Sequence, residues 1–189
     1  MANWFNEIND DTSLEQGDII EKCRIICPSE SHYQALLQEK PTYVEMNYIE
    51  CDCIIMSQSC DLENDKIKHV ILCPITTLQT AMKAFELLRS SKGREQLRQG
   101  NLPSYHLLNK ITLNDKEDFY CVSFHSIFSV PKEYLQALVK DKTRLRLLSP
   151  YKEHLSQSFA RYFMKVGLPS GIDKEELKAC EFVDDKANG

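Results

Sequence analysis

A chain of 189 residues favours one domain, here predicted over 1–189. With 42 % hydrophobic and 27 % charged residues, it is typical of a soluble globular protein, and no run approaches the roughly 18 apolar residues that a membrane helix needs. The net charge of −5 argues against general nucleic-acid binding, yet residues 132–165 carry eight Lys and Arg against three acids. That segment is either an anion-binding face or a lysine-rich solvated surface.

The acidic N-terminus has no basic region followed by an apolar core, so we expect no secretory signal. Eight cysteines without such a signal favour a reducing compartment, and we predict a cytoplasmic protein.

Strand patterns dominate the first part of the chain. The predicted strands are 17–27, 42–58 and 67–75, with a polar turn at 61–66 before the last of them. Between the first two strands, 29–41 predicts a short helix that Ser31 and Gln34 cap and Pro41 ends.

The second part begins with helical spacing. We predict a helical insertion at 79–110, broken near Ser90–Gly93, then a strand at 118–130, a helix at 131–140, a strand at 143–148, a helix at 150–166 and a tail at 168–189. Arg144 and Arg146 alternate along their strand and therefore share one face. Strands and helices follow each other irregularly, which predicts an α+β fold with a small antiparallel sheet or barrel.

The last predicted helix has two distinct faces. The apolar face should enter the core; it consists of Tyr151, Leu155, Phe159, Tyr162, Phe163 and Val166. The polar face either meets solvent or contacts a ligand; it consists of His154, Gln157, Arg161 and Lys165. Ser149 and Pro150 mark the start of this helix and Gly167 its end.

Three sequence segments follow one another along the chain. The segment "QGDII" opens a predicted strand, "CIIMSQSCDLEN" is a predicted strand followed by a polar turn, and "HVILCPITT" is a predicted strand that ends in Pro-x-Thr-Thr. This order resembles the MazF/PemK/Kid-type toxin barrel over 15–78 and, more loosely, 118–148. The chain also resembles an uncharacterised bacterial group that shares "SQSCDL" and "SPYKEHLSQSFARYFMKVGLP".

The first resemblance implies an SH3-like barrel, usually a homodimer, that cleaves single-stranded RNA without a metal or other cofactor. Thr76 and Thr77 match the threonine pair of that family, and Ser57 matches a strand-end serine. The arginine of the family falls on Cys51-Asp52 and is missing. Cleavage by a ribose 2′-hydroxyl needs a positive group near the phosphorane, which Arg144, Arg146 or Arg161 would have to supply.

The polar turn and the cysteines leave several alternatives open. Cys60 could be a nucleophile if His69 or His125 lay beside it, whereas Asp61 could be a general base or simply a turn residue. A zinc ion could be bound by four thiols, those of Cys51, Cys53, Cys60 and Cys73. Against a zinc site, the chain has no Cys-x-x-Cys pair. The alternative is that most of the cysteines are core residues.

We therefore predict a protein that acts on single-stranded RNA, as a metal-independent endoribonuclease of a toxin–antitoxin or phage-defence system. The predicted catalytic residues are Ser57, Cys60, Asp61, Thr76 and Thr77. The predicted RNA-binding residues are Arg144, Arg146, His154, Arg161 and Lys165. The rival hypothesis is a non-catalytic module of the same fold that holds a protein partner.

Overall fold

The computed structural model describes residues 3–9, 12–37 and 47–164. The strands in these residues pair in antiparallel fashion. The strands are β1 (Phe5–Ile8), β2 (Ile19–Ile26), β3 (Tyr48–Ile55), β4 (His69–Thr77), β5 (Tyr105–Leu113), β6 (Lys116–Ser123), β7 (Phe128–Pro131) and β8 (Arg144–Leu147). The helices are α1 (Glu30–Leu36), α2 (Ser59–Glu63), α3 (Leu78–Ala84), α4 (Ser91–Arg98), α5 (Lys132–Val139) and α6 (Tyr151–Phe163), and a 3-10 helix covers Glu86–Arg89.

Strand β4 is the centre of the larger sheet. It pairs with β3, which in turn pairs with β2, so the three strands form an antiparallel meander. The first half of β4 also pairs with β7, where Val70 faces Val130, and its second half pairs with β6, where Thr76 faces Cys121. Strand β5 lies outside β6, which places its residues at the edge of this arrangement.

Gly17 connects the larger sheet to the two-stranded β1–β8 sheet. Its φ of +87° is unfavourable for residues with a side chain, and a Cβ at this position would lie 3.0 Å from the Cβ of Leu147. Its carbonyl accepts a hydrogen bond from the Leu147 amide at 3.0 Å, and the next residue, Asp18, forms a bridge with Arg146. The Gly-Asp pair therefore positions β8 against the start of β2.

Apolar side chains form three clusters around these strands. One cluster centres on Phe124 and Leu155 and includes the inner face of α6, another centres on Leu62 and Leu135 under α2 and α5, and the third lies beneath α3 and α4. The core position predicted for the apolar row of the last helix is confirmed for Leu155, which is fully buried, and is wrong for Phe163, which is 59 % exposed.

The mixed α+β class and the antiparallel sheet are confirmed, with four local corrections. The predicted turn at 61–66 is wrong at its start, because α2 extends over Ser59–Glu63. The helical insertion ends early, because Tyr105–Leu113 pairs with β6 as a strand. The capping box of α1 is formed by Ser29 and His32 instead of Ser31 and Gln34, and Pro150 is the N-cap of α6 instead of its first residue.

Some predictions lie outside the described residues: the segment 42–46, Pro41, the end of the last helix at Val166 and Gly167, and the tail. In the part of the chain that is described, no helix combines the length and the apolar character needed to cross a membrane.

Candidate ligand groove along the last helix

Two adjoining cavities lie beside the polar face of α6, and we call them together the α6 groove. Their volumes are about 310 and 400 Å³, and both are lined by Gly100, Ser158 and Arg161. The first cavity is also lined by Trp4, Arg98, His106, His154 and Gln157. The polar face of α6 predicted from the sequence, His154, Gln157 and Arg161, therefore borders a concave surface.

His106, on β5, is held against α6 by a hydrogen bond whose direction can be assigned. The hydroxyl of Ser158 donates to the backbone carbonyl of His154 at 2.9 Å, one turn earlier in α6. The same oxygen lies 3.0 Å from Nδ1 of His106. Because a hydroxyl has only one hydrogen, Ser158 must accept from His106, and Nδ1 therefore carries the proton.

This tautomer leaves a lone pair on Nε2 of His106. Nε2 is buried and has no hydrogen-bond partner among the described residues. A buried polar atom without a partner costs free energy and is uncommon in folded proteins. Since His106 lines the first cavity, a ligand with a hydroxyl or N–H group could satisfy this acceptor.

Burial and nearby positive charge favour the neutral form of His106. Burial, followed by the nearby positive charges of His154 and Arg161, lowers the pKa of His106 to about 4. His106 is therefore a neutral acceptor at physiological pH, beside a cationic arginine.

Arg161 is an exposed cation that lines the groove. Among residues 3–9, 12–37 and 47–164, no carboxylate lies within ion-pair distance of its guanidinium. Arg98, which lines the same cavity, is instead bound by both carboxylate oxygens of Glu95 at 2.7 Å. Arg161 can therefore pair with an anionic ligand without first losing an internal partner.

An aromatic platform formed by Trp4 and Tyr151 contributes Trp4 to the lining of the first cavity. The ring of Trp4 stacks on that of Tyr151 with centroids 3.8 Å apart and planes inclined by 11°. The platform joins the N-terminal segment to the first turn of α6. Trp4 therefore adds an aromatic side chain to the lining of the groove.

The predicted catalytic residues do not assemble into one site. Ser57 is buried, and its hydroxyl accepts a hydrogen bond from the Ile71 amide at 2.8 Å near the start of β4. Thr77 lies six residues further along β4, about 20 Å away for an extended strand. Ser57 and Thr77 thus serve opposite ends of β4 and cannot orient the same phosphate.

The threonines at the end of β4 have local structural roles. Thr77 is the N-cap of α3, and its hydroxyl accepts a hydrogen bond from the Thr80 amide at 3.2 Å. Thr76 pairs with Cys121 in the sheet. The cap accounts for the hydroxyl of Thr77 without a ligand.

Cys60 and Asp61 occupy the first turn of α2. Cys60 is exposed and contacts Gln58 and Asp61, each at 3.8 Å. No histidine is among the described partners of its thiol, so the predicted activation by His69 or His125 has no support in these contacts. Asp61 lies 3.9 Å from Lys66 on the surface.

Arg144 and Arg146 share a face, as predicted, but that face points into the protein. The Nε of Arg144 donates to Asp18 at 2.9 Å, and the side chain of Arg144 is only 3 % exposed. Arg146 donates to Asp18 and to Glu15. These contacts do not favour the RNA-binding role predicted for the two arginines, because internal carboxylates already neutralise them. Lys165 lies outside the described residues.

The four thiols weighed as a zinc site also do not converge. Cys53 packs in the cluster beneath α2 and α5, whereas Cys73 packs in the cluster beneath α6. Among the residues described, no group of three or more His, Cys, Asp or Glu is arranged to hold a metal ion.

Sequence reasoning missed His106 because it lay within the predicted helical insertion. The segment "YHLLNKITL" carries β-branched residues and mixed polarity that are compatible with a strand, and assigning it to β5 would have placed His106 in the sheet. Its position opposite Ser158, 52 residues away, has no local signature.

Comparison with known proteins adds no family assignment: the chain matches no family model, and no curated protein is significantly similar to it.

Proposed function

We propose that this protein binds single-stranded RNA in the α6 groove. The observation that carries the proposal is the pairing, in one cavity, of the exposed guanidinium of Arg161 with the neutral acceptor Nε2 of His106. An anionic ligand that also offers a hydroxyl group matches both features. A ribonucleotide chain has this combination at every residue, a phosphate followed by a ribose 2′-hydroxyl.

The other groups of the groove fit the same ligand. Trp4 offers a ring on which a nucleobase could stack, as in other proteins that bind single strands. Exposed His154 and Gln157 supply further hydrogen-bonding groups along α6. DNA would retain the phosphate contact and the stacking but would leave Nε2 of His106 without a donor.

The test measures fluorescence anisotropy of labelled single strands of about 12 nucleotides, within the usual site size of such proteins. RNA should bind more tightly than DNA or 2′-O-methyl RNA of the same sequence. Arg161→Gln should weaken RNA binding about tenfold, the effect of losing one charge-assisted hydrogen bond, and should lower the salt dependence by about 0.7 in log–log slope.

The matched control is Lys116→Gln, which removes an exposed cation at the far end of the β5–β6 hairpin. Lys116 pairs with Leu113, whereas His106 pairs with Val122, so the two positions are about 20 Å apart along the strands. Equal losses in Arg161→Gln and Lys116→Gln would indicate non-specific attraction and contradict binding in the groove. Absence of RNA binding by the wild type would refute the function itself.

The proposal includes the relation to the MazF/PemK-type barrel. The β2–β3–β4 meander, with β7, α5 and β8 following it, is compatible with an SH3-like barrel. The homodimer and the toxin–antitoxin or phage-defence setting are implied by the resemblance alone.

The proposal assigns no catalytic residues, because Ser57 and Thr77 are too far apart to act on the same phosphate. Incubation of bound RNA in EDTA, analysed on a denaturing gel, tests the endoribonuclease: intact RNA would leave a non-catalytic RNA-binding protein.

A second candidate function, holding a protein partner, is favoured by one apolar surface. Ile26 and Tyr48 are 61 % and 58 % exposed, and they border a cavity of about 500 Å³ with Val130, Pro131 and Tyr134. Exposed apolar surface of this kind often marks a protein contact. Ile26→Asp should convert a dimer to a monomer in sedimentation if the partner is a second copy, and it should leave RNA binding unchanged.

A further inference from the structure

Three thiols meet between β2 and β3, away from the α6 groove. Cys23 faces Cys51 across the strand pair, and Cys53 follows on the same face of β3. The sulfur atoms of Cys51 and Cys53 are 3.5 Å apart, and the Cys53 thiol also interacts with that of Cys23. We call these three residues the thiol triad.

The members of the triad differ in access to solvent. Cys23 and Cys53 are completely buried, whereas Cys51 is partly exposed. A reagent from solution therefore reaches Cys51 first. The two buried thiols lie directly behind it.

The triad also favours ionisation of one member. Interaction with Cys53 lowers the pKa of Cys51 and that of Cys23, whereas the two neighbouring thiols and burial raise the pKa of Cys53. A single S–H group stabilises one thiolate at a time, and desolvation opposes this effect most strongly at fully buried Cys23. By contrast, burial raises the pKa of isolated Cys73 and Cys121 to about 12.

The spacing within the triad permits a disulfide bond. Residues opposite each other in an antiparallel pair, such as Cys23 and Cys51, have Cα atoms about 4.5–5.5 Å apart, inside the usual disulfide range of about 4.4–6.8 Å. Cys51 and Cys53 are about 6.6 Å apart by strand rise, near the upper limit of that range. Either neighbour could thus resolve a modified Cys51.

We propose that Cys51 is a thiol-modification site that reacts with low-molecular-weight disulfides such as oxidised glutathione. The Cys51 thiolate attacks one sulfur of glutathione disulfide, forming a mixed disulfide and releasing one glutathione thiolate. The thiolate of Cys23 or Cys53 then attacks the Cys51 sulfur, and the second glutathione leaves. Two protein thiols are oxidised to one disulfide, glutathione disulfide is reduced to two thiols, and the two protons lost by the protein thiols are taken up, through solvent, by the two released glutathione thiolates.

The experiment treats the full-length Cys60→Ser protein with oxidised glutathione at neutral pH, blocks residual thiols by alkylation and maps the disulfides by mass spectrometry. Removing exposed Cys60 eliminates a competing surface thiol. We expect a bridge from Cys51 to Cys23 or to Cys53 and no stable glutathione adduct at Cys51. Adding Cys51→Ser should abolish the bridge, whereas adding Cys27→Ser, at a partly exposed thiol of the same sheet, should leave it in place.

Alkylation of all three triad thiols after this treatment would overturn the proposal, and so would glutathione adducts confined to other cysteines. The disulfide map is measured on a protein that keeps all three cysteines of the triad. The proposal is therefore tested even if the Cys51→Ser variant fails to fold. The outcome is independent of RNA binding, which is measured on the reduced protein.

Discussion

Two regions of this protein gather arginine side chains, and they differ in what neutralises them. Around Asp18, Arg144 and Arg146 meet a fully buried carboxylate and a second one from Glu15. In the α6 groove, Arg161 stands beside two histidines, and no described carboxylate lies within ion-pair distance of it.

The difference shows that the position of an arginine decides its role more than its presence does. The Asp18 network is closed, because each charge has an opposite charge and the backbone of Ser13 and Glu15 supplies further hydrogen bonds. Such a network holds β8 against the start of β2. The groove is open, because among the described residues Nε2 of His106 has no hydrogen-bond partner and Arg161 has no carboxylate within ion-pair distance.

The largest effect should follow from breaking the closed network. Asp18→Asn keeps the shape of the side chain but leaves Arg144 and Arg146 without their shared carboxylate. Removing one partner of a buried ion pair costs about 3–5 kcal/mol, so we expect a loss of that size in the free energy of unfolding, measured with urea.

Asp61→Asn is the matched control for this change. Asp61 belongs to a surface pair with Lys66 at 3.9 Å, and exposed pairs contribute about 0–1 kcal/mol. If the two variants were equally stable, the Asp18 network would not be the structural element that its burial indicates.

The fold was predictable where the signals are local. The β-branched run of β2 and the spacing of α6 mark their own elements, and the structure confirms both. Strand β5 was not recognised, because a helical pattern precedes it and its pairing with β6 is a tertiary contact. The turn predicted at 61–66 is wrong over 61–63, which α2 occupies, because Asp and Asn favour turns and helix caps alike.

The candidate site was predictable only in part, for the same reason. Helical spacing placed His154, Gln157 and Arg161 on one face, and they line one cavity. Alternation placed Arg144 and Arg146 together, but their partner Asp18 lies 126 and 128 residues away. Spacing along an element tells which side chains share a face, and only the tertiary structure tells what that face meets.

The second-largest expected effect is on the pH dependence of the free energy of unfolding, and it arises from His106 in the α6 groove. The pKa of His106 is about 4 in the folded protein and near 6.5 when unfolded. The unfolded chain therefore binds more protons between these values. The stability that neutral His106 provides is present above pH 6.5 and is lost as the pH falls towards 4, by up to about 3 kcal/mol.

His106→Phe should flatten this dependence, because phenylalanine does not titrate. Urea unfolding at several pH values between 4 and 7 gives the difference between the slopes of wild type and variant, in which the contribution of the carboxylates cancels. His69→Gln, at an exposed histidine on β4, should retain the wild-type slope. A His106→Phe slope equal to that of the wild type would contradict the neutral, buried state of His106.

The smallest effect should come from Ser158→Ala, which removes the acceptor of the His106 Nδ1 proton and leaves that donor buried. An unsatisfied donor costs about 1–3 kcal/mol, partly offset by the better helix propensity of alanine, so we expect a net loss of about 1 kcal/mol in the free energy of unfolding.

RNA binding tests the role of Ser158 more directly than stability does. Without Ser158 the imidazole can adopt the other tautomer, in which Nε2 carries the proton and no longer accepts from a 2′-hydroxyl. Preference for RNA over DNA should therefore fall in Ser158→Ala and persist in Ser156→Ala, on the same helix; an unchanged preference in both would show that Ser158 does not set the acceptor on His106.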